Sequence, residues 1–495
     1  MPIAVGFTRL HIQGAAGEEQ PFQISDGIVV CNGEIFNSVA LRESLDLQVA
    51  AGSSDCAVIP AMLEKGMTLA EICRSLDGDF AIAVIRNSGT IEVARDPYGV
   101  RPLYYAESLN CSTIISEVKA APPATTFLRC IEPGTVFHIN MITSVYKETR
   151  WHEVPWLKNP RSLSQLRTNL HGALEAAVAK RLTTVRDIGA CLSGGLDSSL
   201  IAALAARQLR TKGIKLHTYS IGMAGSSDLE HARLVAAHID SEHHECIVSP
   251  EECLNAIPTV IRAIESCDVT TVRASVGNYL LGRFIATVTP TVKVILNGDG
   301  ADEALGGYLY MRAAPTDAAF ETETTRLLTE MHRYDVARSE RSMAAHGLES
   351  RSPFLDRQFI AVARGASTAL LRPSEDRMEK HVLRDAFSFP HDDVLPLKVL
   401  WRRKEAFSDG ISGKEKSWFE MAKAVGEQLY GTFDQSNTKY RTNPPQTAEA
   451  FWYRELYHTF FPAVSITATT PYMWMPRFIK GVTDPSARTL SAYKA

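Results

Sequence analysis

The stretch ACLSGGLDSSLIAALAARQL, residues 190–209, constrains the fold more than any other part of the chain. DIGACL, ending at Leu192, has the length and apolar content of a short buried strand. SSLIAALAARQL sets Leu200, Ile201, Leu204 and Ala205 on one face at helical spacing. The order is therefore strand, tight glycine loop, helix. Such a turn aims backbone N–H groups and a helix N-terminus at one point, which favours an anion. Gly194 and Gly195 let the backbone approach a ligand with no Cβ in the way, and Ser193, Ser198 and Ser199 add hydroxyl donors. The run has neither the lysine and spacing of a P-loop nor the pattern GxGxxG. Its distinguishing residue is Asp197, a carboxylate where phosphate is expected. That arrangement needs a cation between the two, and Mg2+ prefers one or two carboxylates plus phosphate oxygens. A Ser/Gly turn that only caps a helix is the alternative.

From residue 165 helices and strands alternate. LHTYSIGM and HHECIVS read as strands. SSDLEHARLVAAHI, PEECLNAIPTVIRAIES and ASVGNYLLGRFIATV read as helices, and VKVILNG as a further strand. This is the signature of a doubly wound α/β domain with a parallel sheet, and residues from 315 onward read as mostly helical. A second acid-bearing glycine loop, in ILNGDGADEALGGYLY (295–310), follows VKVIL and opens a helix. Loops at the carboxyl ends of parallel strands converge on one crevice, so Asp197 and Asp302 are expected to hold one Mg2+ beside ATP.

Residues 1–150 differ. DGIVVCNGEIF, FAIAVIR, TIEVARD, CSTIISEV and TVFHIN are strand-like runs between Gly, Asn and Asp turns, with DCAVIPAMLEKG and LAEICRSL as helices. Residues 151–164, HEVPWLKNPRSLS among them, read as a linker whose Ser162 or Ser164 caps the next helix. A chain of 495 residues is too long for one typical core, which agrees with this division. The formal net charge of −4 offers no basic surplus for nucleic acid. No apolar run approaches the ~20 residues of a membrane span, and the first residues lack the pattern of a signal peptide. Nine scattered cysteines without CxxC fit a reduced, cytoplasmic chain with no structural zinc.

Taken together, SGGLDSS, DVTTVRAS, NGDGADEALGGYLY, AAHGLESRSPFLD, MEKHVLRDAF, LWRRKEAFSDG and DPSARTLSAYK resemble the glutamine-dependent asparagine synthetases, over nearly the whole of 165–495. GFTRL, CNGEIFN, LDGDFAIAV and RDPYGVRPLYY resemble that family's glutaminase half, an Ntn-hydrolase-like α+β sandwich. The resemblance implies a HUP-like ATP-pyrophosphatase domain. There the side chain of aspartate attacks the α-phosphate of ATP, and ammonia displaces AMP from β-aspartyl-AMP. It further implies that Ser193, Lys380 and Lys404 bind pyrophosphate, Lys404 also stabilising charge at the transferring phosphorus. Thr270 and Arg273 would bind aspartate, the planar Arg fork matching a carboxylate. Backbone groups near Leu192, Ile221 and Gly298 would hold the nucleoside.

Two departures stand out. The family carries Glu where this chain has Asp299, a position near the acyl group and the attacking amine, and the related β-lactam synthetases carry Tyr. The acid here is one methylene shorter, and a proton acceptor must lie within ~2.6–3.2 Å of its target or act through one water. The second departure concerns the nucleophile, an N-terminal Cys in the family. This chain begins Met-Pro-Ile-Ala, and VGFTRL corresponds to a segment well inside the family's pattern. Arg9, Asn32, Gly33 and Asp55 nonetheless match the residues that hold glutamine, and Cys31 is expected to be a buried strand residue rather than a substitute nucleophile. The expectation is a ligase using free ammonia, with the glutamine pocket a relic, completed by a separate chain, read from an incomplete gene sequence, or kept only for packing, and a homodimer by analogy. A ligase for another carboxylate and amine, or a non-catalytic nucleotide-binding homologue, are the alternatives.

Overall fold

The computed structural model describes the chain except residues 1–2, 16–19, 51, 110, 142, 144, 155, 157–161, 389–391, 405–411, 413–416, 432, 435–437, 483 and 486–495. The part of LWRRKEAFSDG after Lys404 and the part of DPSARTLSAYK after Pro485 therefore lie outside the described residues. Contacts divide the chain into two units, 1–154 with 183–185, and 155–182 with 186–495.

The first unit holds an antiparallel sheet of β1 (Phe22–Ile24), β2 (Gly27–Ile35), β3 (Gly78–Arg86), β4 (Thr90–Arg95), β8 (Thr135–Asn140) and β9 (Val145–Arg150), in the order β1-β2-β3-β4-β8-β9. A smaller sheet orders β6 (Ser112–Ile115), β5 (Tyr104–Ser108) and β7 (Thr125–Cys130) as β6-β5-β7. Helices α1 (Ser38–Ser44), α2 (Val58–Glu64) and α3 (Leu69–Ser75) share a core with the large sheet through Val29, Cys31, Ile59, Ile72, Phe80 and Ile82. Alternation along β2 sends Val29 and Cys31 into that core. Sequence patterning missed β1, β5, β7, β9 and α1, all short.

In the second unit, α4 (Leu163–Arg181) starts at Ser162, whose hydroxyl and Gln165 form a capping box. The sheet comprises β10 (Asp187–Cys191), β11 (His217–Gly222), β12 (Glu242–Ile247), β13 (Val292–Leu296) and β14 (Glu349–Arg351). Every pairing in it is parallel, in the order β12-β11-β10-β13-β14. The helices α5 (Leu196–Arg210), α6 (Ser227–His238), α7 (Pro250–Ile264), α8 (Val269–Val288) and the short α9 (Ala301–Leu305) accompany it. Strand order runs outward in both directions from β10 and β13, so the loops after these two strands flank the switch point where such folds bind ligands.

One expectation needs correction. Helix α8 starts at Val269 rather than near Ala274, because Asp268 Oδ1 accepts from Thr271 N at 2.8 Å and caps it. A cap and tertiary packing override the low helix propensity of Val269, Thr270, Thr271 and Val272. The described stretch after residue 315 is mostly helical, as expected, and β14 adds a fifth strand, too short to carry a period.

Candidate active site

The loop between β10 and α5 is held by its own serines. Ser193 Oγ lies 3.0 Å from Ser198 Oγ and accepts from Gly195 N at 3.3 Å. Gly194 has φ +71°, and a Cβ there would come within 2.4 Å of His231 Cβ, so only glycine fits. The loop after β13 approaches it closely. A Cβ on Gly298 would sit 2.7 Å from Ser198 N, which means the loop after β13 touches the first turn of α5 through backbone.

This contact places the two predicted acids around one shared cation, Lys380. Lys380 Nζ donates to Asp197 Oδ2 at 2.5 Å and lies 2.8 Å from Asp302 Oδ1, and Lys404 Nζ donates to Asp302 Oδ2. Lys404 also lies over the ring of Tyr308, 4.9 Å from its centroid. Burial pushes the Asp302 carboxyl up, but Lys380 and Lys404 outweigh that and hold it well below the usual carboxylate range. Asp197 moves the other way: burial dominates, and Asp302 adds to it against the pull of Lys380. Burial likewise opposes the Lys404 charge, yet Asp302 and Asp197 raise its value. Asp197 Oδ1 is buried with no hydrogen-bond partner.

These groups line one cavity of about 290 Å³, together with Leu192, Ser193, Gly195, Ser198, Ile221, Thr270, Arg273, Gly298 and Asp299. Thr270 Oγ1 is buried there without a partner. Ser199 is not part of the wall. It is fully buried in the core, one helical step (~100°) round from Ser198, and its expected role as a donor in the cavity is corrected accordingly.

Arg273 is present in the cavity, but its fork is already filled. Glu449 accepts from Nε at 2.9 Å and from Nη2 at 2.5 Å, while Asp484 accepts from Nη1 and Nη2, both at 2.9 Å. Burial works against the charge of Arg273, and the two carboxylates more than offset it, raising its value. Asp299 is also paired: Arg338 Nη2 donates to Asp299 Oδ1 at 2.9 Å and to Asp335 Oδ1 at 3.3 Å. Glu303, beside Asp302, is pushed up to about 8 by burial, with Asp335 and Asp302 adding to it, and accepts from Tyr308 Oη at 2.5 Å. Sequence reasoning missed Glu449, Asp484, Arg338 and Glu303 as parts of the site. Asp484 opens the quoted DPSARTLSAYK run, and Glu303 follows Asp302 directly, so both were within sight.

In the first unit, Asp55 Oδ2 accepts from Ile35 N at 2.5 Å, which ties it to the end of β2 just past Asn32 and Gly33. Arg9 donates to the carbonyls of Gln13 and Ala15 at 2.6 and 3.3 Å, in a turn whose Gly14 abuts Ser54. Cys31 is 1 % exposed on β2. Cys56 beside it is pushed well above the usual thiol range by its hydrogen bond with Cys31 and by burial, which is opposite to what activates a thiol nucleophile.

Known families match the chain in two separate stretches. The family model described as asparagine synthase matches residues 169–321 and 311–469, and that described as glutamine amidotransferase domain matches 7–122. The glutamine-hydrolyzing asparagine synthetase of Gallus gallus is 37% identical over 521 residues, spanning 99% of this chain and 91% of its own length. That of Cricetulus griseus is 37% identical over 527 residues, and that of Homo sapiens 36% over 522, with the same coverage. Two acid-bearing loops at a parallel-sheet switch point, and likeness along almost the full chain, lead to one conclusion: the chain belongs to the asparagine synthase family.

Proposed function

We propose that this chain is an AMP-forming carbon–nitrogen ligase that converts aspartate to asparagine. The side-chain carboxylate of aspartate attacks the α-phosphorus of ATP, forming β-aspartyl-AMP and releasing pyrophosphate. Ammonia then attacks the acyl carbon, and AMP leaves as asparagine forms and a proton is lost. The observation that carries this reading is the four-charge cluster of Asp197, Asp302, Lys380 and Lys404 at the meeting of two glycine loops.

A departing pyrophosphate would draw Lys380 and Lys404 from the carboxylates they now neutralise. Lys404 is also suited to stabilise charge developing at the phosphorus. Asp197 and Asp302 would hold Mg2+, and the unpartnered buried Asp197 Oδ1 supports that fit. When bound, the ion would neutralise phosphate charge. Backbone groups near Leu192, Ile221 and Gly298 would hold the nucleoside. Thr270 and Arg273 would take the substrate, one of whose carboxylates would enter the edge of the fork that Asp484 fills. Asp299, held by Arg338, would accept the proton lost by the amine.

Free ammonia is the nitrogen donor in this reading. Its support is the burial of Cys31 and Cys56 beside Gly33 and Asp55, where neither thiol is suited to attack glutamine. Action in the cytoplasm, as a homodimer, completes the reading; sedimentation tests the latter. Nine scattered cysteines without a CxxC pattern support a reducing compartment. Among the described residues no helix is long and apolar enough to cross a membrane.

The test is a screen of each amino acid with ATP and Mg2+, with and without ammonium, measuring AMP, pyrophosphate and amide. Aspartate alone should give AMP and pyrophosphate, with one asparagine per AMP when ammonium is present. ADP and phosphate as products, or activation of a different amino acid, would overturn the proposal.

A further inference from the structure

The opposite end of the same sheet carries a second cluster of chemistry-bearing groups. Strand alternation along β12 sends Glu242 and His244 to one face and His243 and Glu245 to the other. In the parallel register of β11 and β12, His217 lies opposite Glu242 and Tyr219 opposite His244. His217, Glu242 and His244 thus meet at the start of two adjacent strands. The catalytic loops leave the sheet at the ends of its strands, so this cluster is separate from the nucleotide crevice.

The ligand atoms lie 3.3–3.7 Å apart, close to the spacing one ion requires. His217 Nδ1 lies 3.3 Å from His244 Nε2, His217 Nδ1 lies 3.7 Å from a Glu242 oxygen, and His244 Nε2 lies 3.5 Å from it. A tetrahedral ion with bonds of ~2.0–2.2 Å sets its ligand atoms roughly 3.3–3.6 Å apart. We propose that His217, Glu242 and His244 form a site for a divalent transition-metal ion of the zinc class.

Two imidazoles and one carboxylate suit Zn2+ and discriminate against Mg2+, which takes oxygen ligands. The His244 ring stacks on Tyr219 with centroids 5.1 Å apart, and the Tyr219 hydroxyl is fixed by Thr289 Oγ1 at 2.5 Å, so the ligand ring is oriented from behind. Both histidine side chains are about one-fifth exposed and Glu242 more than half, which leaves an entry path. Because β12 is an edge strand, an ion here would pin the edge of the sheet to β11.

The experiment uses the full chain, stripped with chelator and titrated with Zn2+ alone, then with Co2+ as a spectroscopic probe. One equivalent should bind, the thermal midpoint should rise with zinc concentration, and the Co2+ spectrum should lack a thiolate charge-transfer band. His217→Ala and His244→Ala should each weaken zinc binding by more than the roughly 10–100-fold that loss of a group merely supporting a ligand costs. Glu242→Gln, which leaves the strand packing intact, should weaken it measurably, and millimolar Mg2+ should not compete. Zinc affinity unchanged in His244→Ala and Glu242→Gln, a thiolate band in the Co2+ spectrum, or no saturable binding would each overturn the site.

Discussion

Replacing Asp484 by Asn should lower the KM for aspartate. Arg273 can receive a substrate carboxylate only at an edge of its guanidinium, and both edges are taken, one by Glu449 and one by Asp484. The two partners are unequal. Glu449 is 1 % exposed and also accepts from Tyr453 Oη at 2.8 Å, so it is fixed in place. The Asp484 side chain is 17 % exposed and regains water on leaving. A hydrogen bond to a charged group contributes about 1.5–3 kcal/mol. Asp484 makes two, but solvent compensates for part of the loss, so we assign about 1.5–3 kcal/mol to the pair as a whole. At ~1.4 kcal/mol per decade, a substrate relieved of that competition should bind roughly 10–100-fold more tightly. The assay is pyrophosphate release against aspartate concentration at saturating ATP, Mg2+ and ammonium. Asp484→Asn should lower KM with kcat little changed, whereas Glu449→Gln should raise KM, because it frees the fork from the side that positions it. An unchanged or higher KM in Asp484→Asn would refute the competition and make Asp484 a support of Arg273 instead.

Lys404→Ala should retain the fold and lose ~10²–10³-fold in AMP formation, the usual effect of one electrostatic contact to a transition state; near-normal turnover at saturating ATP and Mg2+ would remove Lys404 from the phosphoryl step. Asp299→Ala should still release pyrophosphate but form less than one amide per pyrophosphate, as stranded acyl-adenylate hydrolyses; an unchanged ratio excludes Asp299 from the amine step. Asp356→Asn keeps the cap on Gln358 N but faces Lys180 and Arg181 with an amide, and should cost about 3 kcal/mol at pH 7, the low end for a broken buried pair. Burial pushes the Asp356 carboxyl up, but Arg181 and Lys180 outweigh it and hold it below the usual range. Its stabilisation is therefore present above the ordinary value of ~3.9 and fades as pH falls through the lower folded value. Urea melts of both proteins should converge on acidification, and a constant difference from pH 7 to pH 3 would contradict this.

What the sequence made legible follows from how local each constraint is. The SGGLDSS and NGDGADE loops could be read because a glycine turn between strand and helix restricts neighbouring residues within one turn, and the parallel sheet then brings the two turns together. The same reading placed Ser199 in the site because it counted hydroxyls; counting helical degrees would have sent it to the core, one step beyond Ser198. Strand β14, three residues long, offers no period to detect. The partners of Arg273 lie 176 and 211 residues further along the chain, where no spacing rule reaches. A fork drawn from sequence is therefore drawn empty, and its state is decided by chain segments that only the fold brings near. The metal cluster repeats the point in a parallel sheet. Alternation alone pairs Glu242 with His244 on one face, but His217 joins them only through the register of β11 against β12. A shift of one residue would have turned Glu242 and His244 to the other face, beside His243's present partners, and left His217 without either.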